Sequence, residues 1–268
     1  MLNDFIPVRH DLMIEDYPNQ LTIVPLADAH YGSQEFNEVL WHRAIKRIQD
    51  DPSCFCVLVG DLMDNGLKNS VTNVYEALAT PRQQKEWLIN ELKPIANRIL
   101  GAVGGNHERR SIRDADLDPL YDVMLAIGRE DVYRQNICFM QVRLCYKFQG
   151  ALKERVQYSF AITHGAGGGQ YIGSSANRVQ TYGAYIEGID CLITGHTHKP
   201  LTFPVSKLVF DGGAKTVLQK QFTVVVASSF LDYGGYPVEK LLTPTAQVIS
   251  EIRLDYSQSG RKELRVIQ

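Results

Sequence analysis

The chain has 268 residues and is short of net charge, of cysteine and of long apolar runs. Each shortage excludes something. A formal charge of −2 gives no basic field to draw the chain onto nucleic acid or an anionic membrane, although a bound cation could substitute locally. Five cysteines are an odd number for a disulfide framework, and Cys54, Cys56, Cys138, Cys145 and Cys191 mostly sit in apolar surroundings. They read as core thiols in a reducing compartment, rather than as a zinc site or disulfides. No run approaches the roughly 18 apolar residues that span a bilayer, and residues 1–10 hold no apolar segment of a secretory signal. No repeat or low-complexity linker stands out. The expectation is a cytoplasmic protein with no membrane partner. What is present is ordinary: 44% hydrophobic and 22% charged residues, enough at this length for a substantial core. The length suits one large domain or two small ones, and a single domain over 1–268 is expected.

Apolar patterning alternates strand and helix through the first half. Residues 1–20 have no clear period and read as an irregular lead-in or an edge strand. Residues 21–27 (LTIVPLA) read as a strand, with Pro25 awkward for a central ladder and suggestive of a bulge or a bonding gap. A helix is predicted over 37–49, and the continuous apolar run at 54–59 is a strand covered on both faces. Helix dominates 71–98, interrupted near Pro81 and Pro94; a strand at 99–103 and a helix over 119–128 follow. Beyond residue 136 the pattern turns to hairpins, with strands at 137–148, 156–163 and 190–194, and a helix over 174–185. From 201 to 267 strands alternate with Gly, Pro and Asp turns. This is an α/β layered domain, with one mixed sheet or two packed sheets flanked by helices, and roughly 70 C-terminal residues completing the second sheet.

Five predicted strands end in polar clusters: Asp28/His30, Asp61/Asp64, Asn106/His107, His164, and His196/His198. Five of the seven histidines fall here, which random scatter would not produce. In open α/β sheets ligands lie beyond the carboxyl ends of strands, so residues far apart in sequence can meet there. Carboxylate and amide oxygens with imidazole nitrogens, and no thiolate, suit Mn, Fe, Ni, Co or Zn. The set is too large for one ion; two ions about 3.5–4 Å apart, sharing a carboxylate, would account for it. No Ser or Cys nucleophile motif is evident.

In order, the chain holds Asp28-x-His30-x-Gly32, Gly60-Asp61-x-x-Asp64, Gly105-Asn106-His107-Glu108, His164 before Gly165, and Gly195-His196-Thr197-His198. Each motif alone is weak. The ordered set, spread over residues 28–198, resembles the calcineurin-like metallophosphoesterases. The resemblance implies a layered α/β/β/α sandwich with two packed mixed sheets flanked by helices. It also implies a dinuclear-metal-dependent phosphoester hydrolase, a phosphodiesterase or phosphatase, with a metal-bridging hydroxide as nucleophile. Asp28, His30 and His198 would hold one metal, Asn106, His164 and His196 the other, and Asp61 would bridge them, with Mn the first expectation. His107 would be the acid facing the leaving group, and Asp64 would orient it or merely cap its turn. Glu108 is given no chemical role.

Substrate-binding candidates are thinner. Arg109 and Arg110 could bind phosphate bidentately or simply begin a solvated helix. Tyr31 could stack on a base or sugar, or pack; Gly167, Gly168 and Gly169 could cradle phosphate, or form a flexible loop. Superfamily protein Ser/Thr phosphatases have Arg where this chain has Asn65, and no residue matches the Tyr ligand of purple acid phosphatases. The expected partner is a phosphoester, with nucleic acid possible as substrate. The alternatives are a compact nuclease with the same site and a non-catalytic scaffold reusing the fold.

Overall fold

The apolar run CFCVL at Cys54–Leu58 is buried at every position, as a strand walled in on both faces requires. Around it the computed structural model describes residues 5–17, 20–68, 70, 75–169, 171–256 and 262–268. In chain order the elements are β1 (Val8–Met13), β2 (Gln20–Leu26), α1 (Glu38–Asp50), β3 (Cys54–Leu58), α2 (Pro81–Leu92), β4 (Ile99–Val103), α3 (Glu108–Ala115), α4 (Pro119–Ala126), β5 (Tyr133–Arg134), β6 (Ile137–Phe148), β7 (Ala151–Thr163), α5 (Ile172–Tyr185), β8 (Cys191–Thr194), β9 (Leu201–Asp211), β10 (Thr216–Val226), α6 (Gly235–Glu239), β11 (Glu251–Asp255) and β12 (Glu263–Ile267).

Two six-stranded mixed sheets form, in the orders β1-β6-β7-β8-β10-β9 and β12-β11-β2-β3-β4-β5. Strands β2, β3, β4 and β5 run parallel. In the other sheet β7, β8 and β10 run parallel. The sheets pack face to face over one core that includes Ile23 and Leu58 from one and Met140, Phe160 and Ile193 from the other. Gly101 sits in that interface: a Cβ there would lie 3.0 Å from Ile162 Cδ1. Helices α1, α2 and α4 bury Trp41, Ile48, Leu88 and Val123 in this core. Helix α5 covers the other side over Val179, Leu192 and Phe222. The architecture is therefore α/β/β/α. Each fully buried Leu, Ile or Phe contributes roughly 1.5–3 kcal/mol, so this core far outweighs the surface ion pairs.

Several local expectations change. Pro25 is no bulge. It pairs with Val57 of β3, while β11 pairs only as far as Ile23, so the missing N–H loses no ladder bond on that side. The expected break near Pro81 is where α2 begins, set by a Thr80/Gln83 capping box and by the restriction on residues before proline, while the described residues 75–79 are not helical. Residues 71–74 of the stretch predicted as helix lie outside the described residues. The lead-in contains edge strand β1, parallel to β6. The C-terminal third does not complete one sheet; it adds strands to both. β10 continues the ladder off β8, whereas β11 takes the edge of β2 and buries Ile252 and Leu254 in the shared core. All five cysteines are buried free thiols. Among the described residues no helix is long and apolar enough to cross a membrane.

Candidate metal centre

β2, β3, β4, β7 and β8 deliver their polar clusters to the same end of the two sheets. The backbone turns there at unusual angles. Asp28, His30, Asp61, His196 and His198 all have positive φ, between 47° and 69°, and so does Asn65 at 44°. Non-glycine residues in this region cost of order 1 kcal/mol or more each, and clusters of them mark sites where the fold over-determines the geometry. Backbone bonds between the loops supply that restraint: Asp28 N–H donates to Gly60 O (3.0 Å), His30 N–H to Asp61 O (2.9 Å) and Asp64 N–H to Tyr31 O (2.9 Å). Two glycines permit the close approach. A Cβ at Gly105 would lie 2.0 Å from Asp61 Oδ1, and one at Gly195 would lie 2.5 Å from Asp28 Oδ2.

The side chains converge in two groups. In the first, His198 Nε2 lies 3.2 Å from Asp28 Oδ1 and 3.2 Å from His30 Nε2. In the second, His164 Nε2 lies 3.1 Å from Asp61 Oδ2, 3.0 Å from Asn106 Oδ1 and 3.2 Å from His196 Nδ1. Asp61 Oδ2 is also 3.9 Å from His30 Nε2, which places this carboxylate between the groups. Within each of the sets Asp28–His30–His198 and Asp61–His164–His196, the candidate ligand atoms lie within 4.8 Å of one another. Imidazole nitrogens facing each other at 3.2 Å, with carboxylate and amide oxygens aimed at the same point, form a donor set that suits divalent cations. His164 Nδ1–H donates to Val59 O at 2.8 Å, which turns Nε2 toward the centre, as expected of a ligating histidine.

Charge follows geometry. Burial works against ionising Asp61, but the His164 imidazole beside it outweighs that and holds its carboxyl well below the usual range. Burial likewise opposes charge on His164, yet Asp61 raises it to about 9. Burial and neighbouring imidazoles lower His30 and His196, leaving both neutral with lone pairs available.

Beside the first group stands His107, its ring centroid 4.3 Å from that of His30. Its Nδ1–H donates to Asp64 O at 2.6 Å, with Asp64 Oδ1 3.3 Å away. Arg110 Nη2 lies 2.9 Å from His107 Nε2, and Nη1 donates to Asp64 O at 3.1 Å. A guanidinium only donates, so Nε2 is the accepting nitrogen in this arrangement. Burial would lower His107, but the bond to Asp64 and the Asp61 charge raise it overall.

A family model described as calcineurin-like phosphoesterase matches residues 21–200, the stretch that carries all of these groups. The chain belongs to that family. Solved structures with a similar fold include a metallophosphoesterase from Sphaerobacter thermophilus, at 12% identity over 92% of this chain and 89% of that one, with a TM-score of 0.41. Another is a predicted phosphoesterase from Streptococcus pneumoniae, at 12% identity over 88% and 84%, with a TM-score of 0.36. No curated protein matches.

The calcineurin-like site also draws on residues that motif reading passed over. Glu108 is fully buried, and it accepts from the backbone N–H of Asp61, Leu62 and Gly105, each at 2.9 Å, and of Met63 at 3.4 Å. It ties the β3 loop to the β4 loop, so it holds Asp61 in place and is not inert. The available signal was a carboxylate in the first turn of a helix just after a glycine pair. Buried Asn65 donates through Nδ2 to His107 O (2.7 Å) and Ser111 Oγ (2.9 Å), and buried Gln84 accepts from Asn65 N–H (2.8 Å). No local pattern marks Gln84; only the packing of α2 shows it.

Of the substrate-binding candidates, Arg110 touches the His107 imidazole. Arg109 instead bonds Gly104 O at 3.4 Å, and its Nε is buried without a hydrogen-bond partner. Tyr31 stacks on Trp87 at 3.7 Å and 5°, with the Phe36 ring perpendicular to it, because α2 lays Trp87 over it. In the glycine run, Gly169 O accepts from Lys199 Nζ.

Proposed function

We propose that the chain is a dinuclear-metal-dependent phosphoester hydrolase. The observation that carries this reading is the convergence of Asp28, His30, Asp61, Asn106, His164, His196 and His198 in two adjoining groups, with His107 beside them. Asp28, His30 and His198 would hold one cation, Asn106, His164 and His196 a second, and Asp61 both, with Mn the first candidate. When bound, such ions supply Lewis acidity toward the phosphate oxygens and toward water. His107 gives a proton to the departing oxygen from Nε2, while Asp64 keeps its Nδ1–H in place. Arg110 leaves Nε2 and meets a phosphate oxygen instead. The test is a screen of Mn-loaded protein against bis-p-nitrophenyl phosphate, p-nitrophenyl phosphate, cyclic nucleotides and single-stranded DNA. Turnover of none of them would overturn the reading in favour of a non-catalytic scaffold.

Two results follow from this arrangement. His107→Ala keeps its metals but slows hydrolysis of alkyl esters by roughly 10²–10⁴-fold, and of nitrophenyl esters much less, because only a poor leaving group needs the proton. An equal loss on both substrates would argue against the acid role.

Metal uptake is expected to depend on pH through His164. The folded protein holds that proton up to about 9, so a cation must displace it. Affinity therefore rises roughly tenfold per pH unit below 9 and levels off above it. Without metal the sign reverses. The protonated His164–Asp61 pair stabilises the fold fully below about 6.5, and its contribution fades as the pH climbs through 9. Calorimetric titration in buffers of different ionisation enthalpy reads the released proton, and no release at pH 7 would contradict the assignment.

A further inference from the structure

We infer that the cleft beside His198 seats the retained ester substituent of a phosphodiester, and that this substituent is a planar ring. The inference rests on the hydrolase reading and narrows it to diesters. The cleft measures about 220 Å³ and is bounded by Tyr171, Ile172, Lys199, Pro200, Pro244 and Ala246. Its walls hang from the first ligand group. Lys199 directly follows His198, and Ser175 on α5 bonds Thr197, the residue before His198, with oxygens 2.5 Å apart. On the far wall Ser228 Oγ donates to Ala246 O at 2.9 Å, and two residues on, Phe230 N–H donates to Asp28 O at 3.1 Å. Both walls are thus anchored to ligands of one cation.

The rings of the centre link the acid to the segment that lines the cleft. His107 is 4.3 Å from His30, and His30 is 5.1 Å from His198 on its other contact. The His30 ring thus touches both the acid and the ligand that precedes the cleft-lining Lys199. The leaving group takes the place at His107, so the substituent that stays on phosphorus is the one left for the cleft next to His198. A monoester has nothing to place there.

Size and lining set the chemistry of that group. Whole-ligand pockets run about 300–1,000 Å³, so this cleft suits one substituent. Tyr171 is 69% exposed, and with two prolines and Ile172 it offers flat apolar surface, the kind on which rings stack without base-specific contacts. A larger cleft of about 300 Å³, near Asp190 and Phe222, lies at the opposite end of β8 from the ligands. There Lys207 already caps α5 through Ala184 O (3.1 Å) and Ile186 O (2.8 Å), so that cleft has no claim on the reacting phosphate.

The test is equilibrium binding by calorimetry to the Mn-loaded protein, with two compounds that cannot be hydrolysed at the P–C bond: methyl phenylphosphonate and methyl methylphosphonate. The wild type is expected to bind the phenyl compound about tenfold tighter. Tyr171→Ala and Ala246→Trp, both at exposed positions, bring that ratio close to one, the first by removing the stacking face and the second by filling the cleft. Equal binding of the two compounds by the wild type, binding of neither, or a ratio kept in both variants overturns the inference. Turnover of bis-p-nitrophenyl phosphate is measured alongside. Turnover without a phenyl preference removes the ring seat and leaves the hydrolase; a variant-sensitive phenyl preference without turnover keeps the ring seat and removes the hydrolase.

Discussion

Replacing Asp61 with Asn is expected to empty both cation positions and to end hydrolysis of any phosphoester. The Asp61 side-chain oxygen lies between the imidazoles of the two groups, with Oδ2 3.1 Å from His164 Nε2 and 3.9 Å from His30 Nε2. Its Oδ1 also accepts from His107 N–H at 2.8 Å, so the same side chain sets where the acid begins. The amide keeps the shape but loses the negative charge, the larger part of what a shared ligand offers two dications. Changing residues that merely orient ligands already lowers metal affinity by roughly 10–100-fold. Loss of a ligand common to both ions should exceed about 100-fold for each. Metal content after gel filtration, measured by mass spectrometry, is the direct readout. Two ions still bound per chain would sink the shared-ligand assignment.

The second large effect is on stability. Glu108→Ala strands four backbone N–H donors, from Asp61, Leu62, Met63 and Gly105, inside a site with no replacement acceptor on that side chain. Each orphaned buried donor costs about 1–3 kcal/mol, and the costs do not add fully, so a loss of roughly 3–5 kcal/mol is expected. Against a typical stability of about 5–15 kcal/mol, that is a large fraction. Glu108→Gln keeps one acceptor oxygen and should lose roughly half as much. Urea unfolding of the metal-free protein measures both. Equal stability of wild type and Glu108→Ala would show that the loops are held by other means. Because the bonds lock Asp61, the same variants should also bind metal more weakly, an effect that a purely remote destabilisation would not produce.

Glu108 illustrates where motif reading stops. Its neighbours Asn106 and His107 are recognisable because metal and proton chemistry demand particular side chains at fixed offsets from a strand end. A carboxylate that collects backbone N–H groups gives no sign of that role even inside a recognised motif, since three of its four partners are forty-odd residues away and any residue type can supply them. Gln84 is harder still, a lone polar residue on α2 whose role depends on where Asn65 lands. Tyr31 and Arg109 show the limit of adjacency to a ligand: the stacking of Tyr31 on Trp87 and the bond of Arg109 to Gly104 O are set by packing that the neighbouring motif does not reveal.

By itself the sequence determined the alternation of strand and helix, the order of five polar strand ends and, through them, the family and the residue types of the centre. Those depend on local patterning and on spacing along the chain, both of which are written in one dimension. Only the tertiary structure decided that Arg110 and not Arg109 meets His107, that Glu108 ties the loops together, that the C-terminal third divides between two sheets, and that a cleft opens at Lys199. These depend on distances between segments far apart in sequence, set by how two sheets and five loops pack, and no local pattern encodes them.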